Sequence, residues 1–404
     1  MSERLIPARE SLAWIVCFLA VAALIVVTGF TSTDSDSALY AGLADRLTQE
    51  PIERWLAPEW WGFWSHVHMS GLFREHPAGV LLLPAALARL GIPAVQGAYV
   101  AGVAAGLGSL LLMAGLIRRF TVRDNARVAL VLLQLMPVAF VFRIRANHEY
   151  PMLFCLLAAV HGLVAASSGS LVIGILLVSF GLAAGLVIKG VFVAKILLAV
   201  ALWIAINPTG QSGARRRSAI AAAIGIAATV GVAIAYDAIH AAATSEPFWS
   251  MYWQRQLGPL TEVGTFDVVL NSARNLLFYI SRLVWHPAPW SLALALVAWR
   301  MRGNFGESWH AIPAPARQGL LFAIGFALLA TLLVSPVSRY AERYAFPDSH
   351  AIACAGVVAV RRAWPSVSDA VIRLDRRIPA FPALVWLALV LLRLFAGSVL
   401  PRIG

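Results

Sequence analysis

Long apolar stretches recur along the whole chain, and this feature restricts the folds open to it more than any other. Each stretch of about 17 to 25 residues is long enough to cross a ~30 Å hydrocarbon layer as an α-helix. Only 13% of the 404 residues are charged, against roughly 25% in soluble domains. The pattern therefore predicts an all-α integral membrane protein, with residues 1–404 forming a single polytopic transmembrane domain.

The apolar stretches predict a bundle of about eleven spans. These are Leu12–Phe30, Ala94–Ile117, Ala126–Phe142, Glu149–Ala166, Leu171–Ile188, Gly190–Ile206, Ser218–His240, Leu283–Trp299, Gly319–Ser335, His350–Val360 and Phe381–Leu400. The first is too long for a signal-peptide core and is expected to remain uncleaved. No soluble domain is expected after the last.

Arginines concentrate in three of the short connections, at residues 118–127, 215–217 and 361–377. The positive-inside rule assigns these connections to the cytoplasm. The N-terminus then lies inside, and residues 31–93 and 241–282 form two long external segments. The net charge of +12 is accordingly expected to meet membrane lipids rather than nucleic acid.

Both external segments mix tryptophans with charged residues, a pattern typical of helices that lie in the membrane interface. The apolar stretch at residues 78–90 is too short to span. It predicts an interfacial or re-entrant helix, so the first external segment is expected to contain juxtamembrane helices.

Two carboxylates, Asp34 and Asp36, follow the first predicted span directly, with Tyr40 close behind. One interpretation is structural, with Ser37 or Asp36 as the N-cap of the following helix. A second, the metal and sugar-nucleotide motif of soluble glycosyltransferases, conflicts with the external location, because nucleotide sugars are cytoplasmic.

Two further groups of ionisable residues lie near the external ends of the predicted spans. Glu75, His76 and Pro77 precede the short interfacial helix, where the proline suits the first turn. Residues 143–149 include Arg145, His148 and Glu149. Such groups at membrane depth are costly and indicate either a functional site or internal pairing.

The chain contains only two lysines, Lys189 and Lys195. Because arginine fills every other basic position, a lysine here predicts a need for a compact ammonium, which binds phosphate as a point charge. Lys189 is the candidate phosphate ligand. Lys195 has two open interpretations, phosphate binding or pairing inside the bundle.

Arg343 and Tyr344 belong to a repeated Arg-Tyr pattern in the last external loop, which supplies guanidinium forks and phenols. The alternative is an aromatic belt with snorkelling arginines. A metal site is also conceivable. Its candidate ligands are His66, His68, His76 and His148, but no pair has a ligand spacing on a firmly predicted helix.

The three cysteines, Cys17, Cys155 and Cys354, all lie within apolar stretches and lack metal or disulfide spacing. They are predicted to be packing residues.

Taken in order along the chain, these motifs resemble those of polyprenyl-phosphate-dependent membrane glycosyltransferases of the GT-C class, which include lipid A aminoarabinose transferases and protein O-mannosyltransferases. The matching segments span about residues 10 to 360. They are Asp36-Ser37-Ala-Leu-Tyr40-Ala41, Glu75-His76-Pro77, Gly181-Leu-Ala-Ala-Gly-Leu-Val-Ile-Lys189-Gly190, Pro289-Trp290-Ser291 and Arg343-Tyr344-Ala-Phe-Pro347. Ser37 stands where the family has Glu, and His76 where it has Lys.

The resemblance implies a GT-C-like helical bundle in the inner membrane of a bacterium, with its active site facing the periplasm. It also implies inverting transfer of a sugar from a polyprenyl-phosphate donor to a lipid, glycan or protein acceptor. Asp36 is then the general base. The donor phosphate would be bound by a set of cationic and polar residues, Lys189, Arg343, Tyr344, His76 and Arg145. Donor or acceptor would be positioned by Asp34, Tyr40, Glu75, His148 and Glu149.

No cofactor is expected to be required, because polyprenyl phosphate is already a good leaving group; a divalent metal is the less favoured alternative. The rival function is a transporter or flippase of a lipid-linked substrate. Transporters usually contain related halves, and no internal duplication is visible in this sequence.

Overall fold

The fold was described from a computed structural model covering residues 8–32, 34–60, 63–64, 67–68, 70–207, 210–261, 265–337 and 341–399. Within these ranges the chain is almost entirely helical. The α-helices are α1 (Ala8–Val27), α2 (Ser35–Leu47), α3 (Gly79–Ala88), α4 (Ala94–Phe120), α5 (Arg123–Leu132), α6 (Pro137–Val141), α7 (Glu149–Ser167), α8 (Leu171–Lys189), α9 (Val193–Ile206), α10 (Ala214–Thr244), α11 (Phe248–Thr261), α12 (Thr265–Trp285), α13 (Trp290–Met301), α14 (Phe305–His310), α15 (Ala314–Val334), α16 (Phe346–Ala363), α17 (Pro365–Arg377) and α18 (Phe381–Val399).

Short elements interrupt or join these helices. Five are 3₁₀ turns, at Ile52–Arg54, Leu133–Leu135, Gly190–Phe192, Arg302–Asn304 and Glu342–Ala345. The others are the two-residue strands β1 (Phe63–Trp64) and β2 (Val67–His68), which pair antiparallel.

Six stretches in the described part of the chain are long and apolar enough to cross a membrane: Glu10–Val27, Ala94–Phe120, Glu149–Ser167, Leu171–Ile206, Ala214–Thr244 and Ala314–Val334. A seventh would combine α17 and α18, which meet at an angle of 101°. The protein is therefore a multi-pass helical membrane protein, as predicted. The predicted count of about eleven spans is not confirmed.

The apolar stretch Leu171–Ile206 is not one straight span. Lys189 at the end of α8 contacts Glu149 at the start of α7. Trp203 near the end of α9 instead donates a hydrogen bond to Ser167 at the end of α7, at 3.2 Å. The chain therefore turns back at Gly190, and α8 and α9 run in opposite directions, as the two separate predicted spans require.

Two predicted spans differ from the observed helices. Residues 126–142 do not form one helix, because α5 ends at Leu132 and a new helix starts at Pro137, which has no N–H to continue the earlier one. Residues 283–299 cross the boundary between α12 and α13, where Pro287 and Pro289 separate the two helices. In each case hydropathy alone predicted one span, whereas prolines divide the segment between two helices.

The first external segment folds against the start of α4. Buried side chains from α2 and α3 pack with residues of the connecting loop; they are Leu39, Leu43, Leu47, Trp55, Trp60, Phe73, Leu81 and Ala85. The helices of this segment are α2 and α3, and their juxtamembrane location stays a prediction. At ten residues, α3 is about 15 Å long and too short to cross a membrane.

Candidate active site

The first turn of α2 is fixed by a side-chain cap. The carboxylate of Asp34 accepts hydrogen bonds from the backbone N–H of Ser37 at 3.0 Å and from its hydroxyl at 2.7 Å. The Ser37 hydroxyl oxygen in turn accepts from the backbone N–H of Ala146 at 3.1 Å. The N-cap is therefore Asp34, and the predicted caps Ser37 and Asp36 were wrong. This arrangement ties the start of α2 to the 143–149 segment.

Asp36, two residues further on, forms an ion pair with Arg343. Both side chains are only partly exposed, at 18% for Asp36 and 27% for Arg343. The contact joins the first external segment to the loop before α16, where Arg343 belongs to the 3₁₀ turn. The predicted general base and a predicted phosphate ligand thus lie in direct contact.

Arg145 is placed by a close approach of its backbone to α4. Gly102 of α4 has no side chain, and a Cβ at this position would clash with the carbonyl oxygen of Arg145. From this position the guanidinium lies 3.6 Å from Asp34 and 4.2 Å from the centroid of the Phe142 ring. Arg145 therefore contacts the cap of α2.

Lys189 lies at the end of α8 and forms a buried ion pair with Glu149 at 2.9 Å. Its ammonium also faces the rings of Phe192 and Tyr344, at 4.8 and 5.8 Å from their centroids. Oε2 of Glu149 is buried without a hydrogen-bond partner in the described part of the chain. The pair is therefore incompletely satisfied, which distinguishes it from an ordinary internal salt bridge.

The backbone conformation at position 190 explains why a glycine follows Lys189. The φ angle of Gly190 is +55°, in a region that residues other than glycine rarely adopt. A Cβ at this position would also collide with the phenol of Tyr252. The Tyr252 hydroxyl oxygen accepts a hydrogen bond from the N–H of Val191 at 2.9 Å. Tyr252 thereby holds the turn that carries Lys189.

A small cavity of about 10 Å³ brings several of these groups together. The charged and polar residues that line it are Glu149, Lys189, Lys195, Arg343 and Tyr344. Its volume corresponds to about one water molecule.

Three aromatic side chains form a buried group beside Glu149. The ring of His148 lies 4.3 Å from that of Tyr40 and 4.4 Å from that of His76 between centroids. Burial, together with the positive charge of Lys189, lowers the pKa of His76 to about 3. Burial followed by the charges of His76 and Lys189 also lowers the pKa of His148. Both imidazoles are therefore neutral near pH 7, and His76 contributes a hydrogen-bonding group rather than a positive charge.

Glu75 lies at the edge of this cluster and connects the two external segments. It forms an ion pair with Arg255 of α11, and its backbone carbonyl accepts a hydrogen bond from Gln256 at 2.9 Å. The neighbouring Arg74 pairs with Glu246. Sequence reasoning did not find Arg255. The available signal was a single arginine within the aromatic stretch of the second segment.

Lys195 pairs inside the bundle, which resolves the two interpretations left open by the sequence. Its ammonium donates to both carboxylate oxygens of Asp348 at 2.7 Å and to the carbonyl of Tyr344 at 2.6 Å. Asp348 was missed by the sequence analysis. An acid in the first turn of an otherwise apolar helix was the signal that could have found it.

The histidines that the structure describes do not form a metal centre. His76 and His148 lie together, but no group of three or more His, Cys, Asp or Glu side chains in the described residues is arranged to hold a metal ion. His66 and the side chain of His68 lie outside the described residues. Cys17 and Cys155 are buried thiols, and Cys354 is partly buried.

Comparisons with known proteins agree with this architecture. No family model matches the chain, and no curated protein matches by sequence. Among solved structures, ArnT from Cupriavidus metallidurans in the apo state has a TM-score of 0.63 at 14% identity, over 96% of this chain and 76% of that chain. The same protein bound to undecaprenyl phosphate has a TM-score of 0.62 at 15% identity, over 96% and 77%.

A more distant similarity is to the Archaeoglobus fulgidus oligosaccharyltransferase in complex with Zn and sulfate. The TM-score is 0.51 at 11% identity, over 94% of this chain and 53% of that chain. At these identities the similarity concerns the fold and not the chemistry. The chain therefore has a fold similar to that of these proteins.

Proposed function

We propose that this protein is an inverting glycosyltransferase that moves a sugar from a polyprenyl-phosphate donor to a lipid, glycan or protein acceptor. The observation that carries the proposal is the contact between Asp36 and Arg343 beside the buried Lys189–Glu149 pair. An acid next to several cations suits a reaction in which a nucleophile is deprotonated while a phosphate departs. The similarity to ArnT bound to undecaprenyl phosphate supports a lipid phosphate as the donor.

In the proposed reaction, the acceptor oxygen attacks the anomeric carbon of the sugar and the bond from that carbon to the phosphate oxygen breaks. Asp36 accepts the proton of the acceptor hydroxyl. The electron pair of the broken bond remains on polyprenyl phosphate, whose growing charge Lys189 and Arg343 stabilise. One new glycosidic bond forms, with inversion at the anomeric carbon.

Arg343 has a second part in this scheme. While it is paired with Asp36, its guanidinium occupies the carboxylate that is proposed to accept the proton. The phosphate of an arriving donor attracts the same guanidinium. Arg343 therefore leaves Asp36 when the donor binds, which enlarges the small cavity at Lys189 and frees the base at the same time.

The remaining residues position these groups. Asp34 and Arg145 hold the first turn of α2. Glu149 orients the Lys189 ammonium at 2.9 Å. Tyr344 faces Lys189, while Tyr40, His76 and His148 offer neutral hydrogen-bonding groups to the donor or acceptor. Glu75 anchors α11 over the site through Arg255.

Transfer measured in proteoliposomes tests the proposal. Purified protein would be supplied with undecaprenyl-phosphate-linked sugars and membrane acceptors, and the products followed by mass spectrometry. Asp36→Asn should lower transfer by about 10²- to 10⁴-fold while folding stays near wild type. Retention of more than about a tenth of the activity would remove Asp36 as the base. Movement of intact donor across the bilayer without any product would favour a flippase.

We also propose that transfer requires no metal, because the cationic side chains supply the charge that the leaving phosphate needs. Activity should survive treatment with EDTA and extensive dialysis. A loss that Mn²⁺ or Mg²⁺ restores would contradict this part of the proposal.

The site is proposed to face the periplasm from a bacterial inner membrane, an orientation based on the arginines of the short connections. Cysteines introduced at exposed Ser70 and Ser212 report on it. Impermeant maleimide should label Ser70→Cys in intact cells, and Ser212→Cys only after lysis. Labelling of Ser212→Cys from outside would reverse the orientation and exclude a periplasmic donor.

A further inference from the structure

A large crevice separates α13 from α15. Both helices pack on α16, which forms the floor through Ile352 and Val358. The volume of the crevice is about 1210 Å³, above the ~300–1,000 Å³ of ordinary small-molecule sites. Its wall residues Leu321 and Leu328 are about half exposed, so the crevice is open along the face of α15.

The walls of the crevice are almost entirely hydrocarbon, contributed by leucine, isoleucine, valine and alanine side chains of α12, α13, α15 and α16. Two aromatic residues of α14, Phe305 and Trp309, line one end and stack with their ring centroids 5.9 Å apart. Aromatic rings of this kind are enriched where the membrane hydrocarbon meets water. The crevice therefore has the composition of a lipid-chain site with one end at the interface.

Two arginines line that same end. Arg119, near the end of α4, and Arg362, near the end of α16, are both exposed and both border the crevice. Asn125 lies beside them and adds an uncharged amide. A long apolar crevice with guanidinium groups at one end is complementary to a molecule with hydrocarbon chains and a phosphate.

The position of the arginines separates this crevice from the proposed donor site. Gly102 in the first part of α4 contacts the backbone of Arg145, whereas Arg119 lies near the other end of the same helix. The two residues are 17 positions apart, which corresponds to about 25 Å along the helix, close to the hydrocarbon thickness of a bilayer. The two phosphate-complementary sites therefore lie near opposite membrane surfaces.

We propose that this crevice binds one anionic phospholipid, with its headgroup phosphate at Arg119 and Arg362 and its acyl chains between α13 and α15. The occupant comes from the leaflet opposite the candidate active site. The acyl chains of the phospholipid fill the space between α13 and α15. Both helices pack on α16, the helix that carries Asp348. The inference does not depend on sugar transfer, and its test measures lipid occupancy alone.

Native mass spectrometry of the purified protein in mild detergent tests the inference, with dioleoylphosphatidylglycerol and dioleoylphosphatidylcholine as probes. Wild type should retain one phosphatidylglycerol in preference to phosphatidylcholine. Each basic residue near an anionic headgroup changes the affinity about fivefold. The double variant Arg119→Ala/Arg362→Ala should therefore bind phosphatidylglycerol roughly 20-fold more weakly.

A second variant tests the apolar part without touching the arginines. Ala295 of α13 lines the crevice and is exposed, so Ala295→Trp fills the space reserved for acyl chains. The matched control is Leu292→Trp on the same helix, which is 53% exposed but does not line the crevice. The control for charge is Arg216→Ala, at an exposed arginine at the start of α10.

The expected result is loss of bound phosphatidylglycerol in the double arginine variant and in Ala295→Trp, with wild-type occupancy in both controls. Equal retention of the two phospholipids, or full occupancy in Ala295→Trp, would overturn the inference. Recovery of polyprenyl phosphate from the crevice in place of phospholipid would also overturn it.

Discussion

The two lysines of this chain each pair with a buried carboxylate, but the two pairs differ in how completely their hydrogen-bonding groups are satisfied. Lys195 donates to both oxygens of Asp348 and to the carbonyl of Tyr344, and Thr331 donates to Asp348 at 3.3 Å. Lys189 makes one hydrogen bond to Glu149, at 2.9 Å, and Oε2 of that carboxylate has no partner among the described residues.

The difference supports a structural role for the Lys195 pair and the proposed functional role for the Lys189 pair. A buried ion pair persists when further hydrogen bonds satisfy its remaining groups, and the Lys195 pair meets that condition within the protein. The Lys189 pair does not, because its ammonium has three N–H donors and makes one hydrogen bond to Glu149. We propose that a negatively charged ligand accepts hydrogen bonds from the remaining donors. The same contrast recurs within one turn of α2, where Asp34 is held by Ser37 as a cap and Asp36 reaches Arg343.

The largest effect is expected from breaking the satisfied pair. Lys195→Met leaves Asp348 buried and unpaired, which costs about 3–5 kcal/mol. The double variant Lys195→Met/Asp348→Leu removes both charges and should recover most of that loss. Thermal unfolding in detergent, followed by size-exclusion chromatography, measures it. Lys189→Met is the matched control and should be less destabilised. Equal losses in Lys195→Met and Lys189→Met would erase the distinction between the pairs.

The next largest effect concerns activity at the incomplete pair. Lys189→Ala and Arg343→Ala should each reduce transfer, since a hydrogen bond to a charged group is worth about 1.5–3 kcal/mol, or roughly 10- to 150-fold. Their effects should be non-additive because both residues are proposed to bind the same phosphate. Lys189→Arg should also lose substantial activity, since a planar fork replaces a compact ammonium in a small cavity.

Measured kcat and KM values for the two single variants and the double variant decide this prediction. Additive losses would assign Lys189 and Arg343 to separate roles. Full activity in Lys189→Arg would show that charge alone is required at that position.

Much of this contrast was visible in the sequence. The rarity of lysine identified Lys189 and Lys195, and the ionisable groups at the ends of the apolar stretches identified Asp36 and Arg343. Their partners were not predictable, because Asp348 lies 153 residues from Lys195 and the pairing depends on how α9 packs beside α16. Apolar periodicity predicts that a helix exists and leaves its neighbours undetermined.

The sequence predicted the class of the fold but not where every helix begins and ends. Pro137 begins α6 within one apolar stretch and so separates it from α5. A hydropathy value averaged over the whole stretch does not register this single proline. The angle of 101° between α17 and α18 has a similar local signal, because Pro379 lies in the break between the two helices. The ion pair of Arg127 with Asp375 also links α5 to α17.

A smaller effect is expected from pH at the aromatic group beside Lys189. The folded pKa of His76 is about 3, below the unfolded value of about 6.5. Between these values the unfolded chain binds a proton that the folded chain does not, so stability falls as pH drops below about 6.5. The loss should reach about 2 kcal/mol at pH 5. Stability from pH 8 to 5 should fall less steeply in His76→Gln. An unchanged slope would mean that His76 binds the same number of protons in the folded and unfolded states.

The smallest effect is expected at Asp34, the satisfied member of the aspartate pair. Asp34→Ala removes the N-cap of α2 and should cost about 1 kcal/mol, whereas Asp34→Asn keeps a capping oxygen and should cost only tenths. Because Asp34 positions the turn and Asp36 is proposed to take the proton, Asp34→Asn should reduce transfer far less than Asp36→Asn. Thermal unfolding and transfer rates measured on the same preparations test both statements. If Asp34→Asn lost as much activity as Asp36→Asn at full stability, Asp34 would be the stronger candidate for the base.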